Sequence, residues 1–163
     1  MKKAEPLFLL VLRVAMAALL LFSAWVKLKP EVVGGDGVAP QPSGPFVFAL
    51  AVSSYEILPA SLVPLATFAV PWVEVVVGVA LLVGWWTRGA GLLAAVLLAT
   101  FTAAVVSVIL RGMNLSCGCF GKYKLLCDGS VGWCKVGENL VLLSMAWVLA
   151  GRGGGMLELR RTA

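Results

Sequence analysis

Histidine is absent from this chain of 163 residues, tyrosine occurs only twice, and acidic side chains number eight. Without imidazole there is no ordinary proton shuttle near neutral pH and no Ser-His or Cys-His catalytic pair. The commonest ligand of haem and zinc is missing as well. Charged residues of both signs amount to only 13%. The basic ones sit singly or in pairs at the ends of apolar runs, where they meet headgroups and water, and form no stripe interleaved with aromatics. The glycines make neither a phosphate-cradling loop before a Lys-Ser/Thr pair nor a dinucleotide fingerprint, which leaves nucleotide and nucleic-acid binding without support. Any chemistry falls mainly on cysteine.

Apolar surface is what the chain has in excess. At 61% hydrophobic residues and a mean hydropathy of +0.99, a soluble domain of this size has no interior large enough to hide it, so lipid is part of the solvent. The runs predict an all-α membrane protein, a four-transmembrane-helix bundle with an interfacial helix between helices 1 and 2, forming one domain over residues 1–163.

Helix 1 is expected over 7–28. Its length of about 22 residues, the interruption at Arg13 and the poor small-x-small site at Ser23-Ala24-Trp25 argue for a retained helix rather than a cleaved signal peptide. Residues 29–45 are crowded with glycine and proline and read as a surface loop. The apolar stretch 46–58 is too short to span and reads as a helix lying at the interface. Helix 2 is expected over 60–86, with Pro64 and Pro71 inside it and Trp85-Trp86 as an aromatic anchor. A tight Thr87-Arg88-Gly89 turn leads to an antiparallel helix 3 over 90–110, and helix 4 covers 134–150. Trp25, Trp72, Trp133 and Trp147 read as anchors or packing residues.

With the N-terminus inside, Lys2, Lys3, Arg88, Arg152, Arg160 and Arg161 face the cytoplasm. Lys27, Lys29, Arg111, Lys122, Lys124 and Lys135 face outward. The inner set occupies shorter segments close to helix ends, where the positive-inside rule counts most. The expectation is a multi-pass protein of the inner (cytoplasmic) membrane with both termini cytoplasmic. The loop over 111–133 then lies in the periplasm or outside the cell, where disulfides persist.

That loop and the start of helix 4 hold all four cysteines, spaced C-x-C-x7-C-x6-C. Cys117 and Cys119 can close a small ring only through a sharp turn, which Gly118 permits, and a strained, exposed disulfide is a labile one. Cys127 and Cys134 make a second possible pair, or Cys127 is carried toward Cys119. Two neighbouring pairs suit a relay in which a thiolate passes the disulfide on through a mixed disulfide. Cys134 has the better surroundings for a thiolate, with a helix N-terminus behind it and Lys135 beside it. Two blander arrangements compete: cystines that only staple the loop, and an all-cysteine site for zinc or monovalent copper, against which the spacing argues.

Arg13, Glu74 and Glu138 are charged groups inside apolar runs, where each needs a partner or a cavity. Arg13 lies about 10 Å from the inner end of helix 1, and Glu74 about 18 Å from the Trp86 end of helix 2. An ion pair between them, or a part in proton movement, is expected. Glu138, one turn after Cys134, either takes a proton from the thiol or pairs with Lys27 at the outer end of helix 1.

The series Ser23-x-x-Val26-Lys27-Leu28, Tyr55-x-x-Leu58-Pro59, Pro71-Trp72-x-Glu74-x-x-x-Gly78, Leu81-Leu82-x-Gly84 and Cys117-Gly118-Cys119-Phe120-Gly121 resembles the methylamine-utilisation MauE branch of the DoxX-like redox-associated membrane proteins. Asn139 fits the same pattern, and the resemblance covers most of residues 20–145. It implies a four-helix membrane protein working with a periplasmic thioredoxin-like partner on the disulfides of client proteins, and adds Tyr55, Lys27 and Glu74 to the supporting residues. Cys127 and Cys134 go beyond what every member of the family carries.

The expected function is therefore membrane thiol-disulfide oxidoreduction. Cys117 and Cys119 form one exchange pair, Cys127 and Cys134 the other, and electrons pass between an external thiol protein and a membrane carrier or second thiol partner. A quinone suits the carrier role, although no residue pattern specifies one. Two alternatives are a soft-metal transporter or metallochaperone for mercury or copper, and a non-catalytic assembly subunit for a periplasmic redox protein.

Overall fold

A computed structural model describes residues 4–29, 44–113 and 132–153, and all of its regular elements there are helical. They are α1 (Ala4–Leu28), α2 (Gly44–Ser54), α3 (Val63–Val83), α4 (Thr87–Leu110) and α5 (Trp133–Arg152). All but α2 are long and apolar enough to cross a membrane. Large apolar side chains such as Leu65, Val76, Leu92, Val141 and Trp147 stand exposed on their outer faces. Lipid is the environment that makes such a surface stable.

Several boundaries differ from those expected. The second span begins at Val63 after a turn, with Pro64 in its first turn, where the missing N–H costs nothing. It ends at Gly84, whose left-handed φ of 80° closes the helix through a bond from its N–H to the carbonyl of Ala80. The connection to the next span is thus Gly84-Trp85-Trp86, and Thr87-Arg88-Gly89 forms the first turn of α4. The interfacial helix stops at Ser54, where Ser53 and Ser54 both donate to the carbonyl of Leu50.

The spans pack as a ring in the order α1, α3, α4, α5, closing back on α1, and across the diagonals α1/α4 and α3/α5 no Cα atoms approach within 8 Å. Tight approach is made by small residues. A Cβ on Gly78 would sit 2.8 Å from Leu21 of α1, and one on Gly91 would sit 2.8 Å from the backbone nitrogen of Ala150. Such contacts let backbones approach where no hydrophobic effect drives helices together. Because Gly91 at the start of α4 meets the end of α5, these helices run antiparallel, and the pairing of Ala17 and Leu21 with Gly78 fits the same arrangement for α1 and α3. Lys27, the start of α3, the end of α4 and the start of α5 therefore gather at one end of the bundle, and the Trp85-Trp86 turn lies at the other.

Helix α2 caps the lysine end. A Cβ on Gly44 would lie 2.4 Å from the carbonyl oxygen of Val26, so only glycine allows α2 to start against the end of α1. Phe48 is buried beneath it. At the far end of α2, Arg111 of the α4 terminus donates to the carbonyl of Tyr55 at 3.1 Å.

Candidate functional site: two buried ion pairs below the cysteine end

Ser23 and Lys27 are four residues apart on α1 and share a face. Side chains on a helix lean toward its N-terminus, so Lys27, although next to the last residue of α1, reaches back into the bundle. Its Nζ donates to Ser23 Oγ at 3.0 Å and to Glu74 Oε1 of α3 at 2.5 Å, and Ser23 Oγ lies 3.4 Å from the same carboxylate oxygen. Lys27 and Glu74 are each 2% exposed. The rings of Phe48 from α2 and Phe101 from α4 both lie with their centroids 5.0 Å from Nζ, a cation–π pairing that suits a desolvated ammonium. Glu74 Oε2 is buried and accepts no hydrogen bond.

This arrangement corrects two expected pairings. Arg13 is buried, but Glu74 bonds Lys27 and Ser23. Arg13 lies about 15 Å below Ser23 along α1, and the lean of its side chain carries it further away, whereas the same lean delivers Lys27. Lys27 is in turn not the partner of Glu138. That carboxylate is held by Lys135, one turn earlier on α5, with Nζ to Oε2 at 2.8 Å. Lys135 and Glu138 are both buried, and Glu138 Oε1 accepts no hydrogen bond.

A cavity of about 30 Å³ lies beside the Lys27–Glu74 pair, lined also by Met16, Ser23, Leu98, Phe101, Asn139 and Leu142. A water needs roughly 10–15 Å³ of such space, so the cavity has room for water and not for a quinone ring. Asn139 is buried on the inner face of α5.

Cys134 is exposed in the first turn of α5, whose N-cap, Gly132, supplies no side-chain cap. The positive end of the helix dipole lies under it. The charge of Lys135, however, is directed to Glu138 rather than left for the sulfur. Cys117, Cys119 and Cys127 lie outside the described residues. The segment that holds them leaves α4 and enters α5 at the lysine end of the bundle. Tyr55 is half-buried at that end, just past α2. Phe48 and Phe101 were not legible in the sequence, because an aromatic at the edge of an apolar run carries no mark of what it covers. Ser23, four residues before Lys27, was the one available signal.

No solved structure matches the chain significantly. A protein of Paracoccus denitrificans described as methylamine utilization protein MauE is 31% identical over 147 residues, spanning 90% of this chain and 70% of that protein. The profile of the family described as methylamine utilisation protein MauE matches residues 5–152, all five helices, and so the chain belongs to the MauE family.

Proposed function

We propose that this chain serves methylamine utilisation as a membrane thiol-disulfide oxidoreductase, passing electrons between a thioredoxin-like protein and a second thiol protein or membrane carrier. The observation that carries the reading is the position of Cys134. It is exposed at a helix N-terminus, at the end of the bundle where α4 ends and α5 begins, and the other three cysteines lie in the sequence between those two helices. A helix N-terminus favours the thiolate that disulfide exchange releases.

The exchange is a two-step displacement. A thiolate of the partner attacks one sulfur of a disulfide of this chain, the S–S bond breaks, and a mixed disulfide forms as the other sulfur leaves as a thiolate. The partner's second thiol then displaces the remaining sulfur. The partner becomes a disulfide, and this chain takes two electrons and, on protonation, two protons. The reverse sequence oxidises this chain. Passage from Cys117–Cys119 to Cys127–Cys134 is the same displacement within the molecule. The proposed setting is the inner membrane, with both termini cytoplasmic and the cysteines outside. A quinone acting as carrier would dock outside the cavity beside Glu74, which is too small for its ring.

Equilibration of the purified protein in graded redox buffers, followed by alkylation and mass analysis, tests the role. At least one cysteine pair should titrate above about −300 mV, the level below which structural disulfides lie. If every pair titrates below it, the exchange function is lost.

A further inference from the structure

We propose that the cavity on the bundle axis is a site for ordered water, about two molecules, which links Glu74 of α3 to Asn139 of α5 across the diagonal of the bundle. Three observations converge. Glu74 Oε2 is buried without a hydrogen bond, a state that costs the carboxylate its full desolvation penalty unless something donates to it. The cavity of about 30 Å³ borders that carboxylate together with Ser23, Lys27 and Asn139. Finally, the Cα atoms of α3 and α5 stay more than 8 Å apart, a separation that leaves room for a mediator between Glu74 and Asn139.

The lining chemistry decides between a wet and a dry cavity. Leu98 and Leu142 alone would enclose an empty space, but a water here finds two to four partners, the number that holds it. The carboxylate accepts, the asparagine amide donates and accepts, and the ammonium, with two of its N–H groups on Ser23 and Glu74, has a third to offer. The ligand class is thus water, and its consequence is that the buried ion pair of α1 and α3 communicates with the helix that carries Cys134. The site does not depend on the thiol chemistry proposed above.

Met16 lines the same cavity and is 1% exposed, which makes it a reporter. Hydroxyl radicals generated by an X-ray pulse in 18O-labelled water oxidise side chains beside bound water, and peptide mass spectrometry reads the oxygen added to Met16. Labelling of Met16 is expected in the full-length protein in lipid nanodiscs, falling several-fold in Asn139→Leu. It should fall likewise in Leu142→Phe, which fills the space and leaves every polar group in place. An unlabelled Met16, or equal labelling in all three proteins, overturns the site.

Discussion

Replacing Lys27 by methionine removes one partner of a charge pair buried from bulk solvent, while keeping a side chain of similar length. At a separation of 2.5 Å and an effective dielectric of about 20, the gross attraction is about 7 kcal/mol. Desolvation of the two ions offsets several kcal/mol per ion, so the pair gains little over an apolar one, yet stripping one partner leaves a buried charge uncompensated at about 3–5 kcal/mol. The single variants Lys27→Met and Glu74→Leu should each lose that much. The double variant should recover most of it, because both charges are gone and Ser23 can turn its hydroxyl to a backbone carbonyl one turn back. The loss of the aromatic contacts of Phe48 and Phe101 to Nζ is common to Lys27→Met and the double variant and does not affect the comparison of the two. Reversible unfolding in mixed micelles, followed by circular dichroism, gives the four corners of the cycle. Additive losses, with the double variant less stable than either single one, would refute the claim that the two charges answer each other.

Four further outcomes follow from other contacts. Gly91→Val should separate α4 from α5 and cost about 1–3 kcal/mol, since its Cβ would press on the backbone of Leu149 and Ala150. Gly137→Ala, with nothing within 4 Å, should instead gain about 0.5–1 kcal/mol, and the same unfolding assay checks both. Glu138→Gln should remove a negative charge one turn from Cys134 and speed alkylation of that thiol in the reduced protein near neutral pH by about two- to fivefold. An unchanged or slower rate on a single-cysteine background sinks this. Phe48→Ala should undock α2 and accelerate hydrogen exchange of its amides while leaving those of α4 unchanged, which mass spectrometry resolves segment by segment.

The spans were legible because apolar length is a property of the chain itself. Neither the ends of the second span nor its charge partners were, since both depend on which way a residue faces. Pro64 read as an interior residue because the apolar run continues through Ala60, Ser61 and Leu62, yet proline in a first turn is a start signal, and Gly84 before Trp85-Trp86 was the matching stop. Arg13 and Glu74 were matched by depth alone, with Lys27 left at the water boundary. The direction in which helical side chains lean brings Lys27 down to Glu74. Glu138 has its partner in Lys135, three residues before it, a spacing that a helix makes adjacent and that the sequence displays. Phe48 and Phe101 complete the site from two other helices, and only the packing of the ring tells that they meet.

The backbone N–H of Gly44 donates to the carbonyl of Lys29 at 3.2 Å, so the chain leaves the end of α1 and resumes within a hydrogen bond of the same point. The bundle therefore experiences residues 30–43 as a closed excursion, whatever their number. Lengthening such an excursion is entropically inexpensive, about 0.6 kcal/mol for each doubling, as long as glycine holds the closing position. A protease site or epitope tag can therefore be inserted here to report which side of the membrane the lysine end faces.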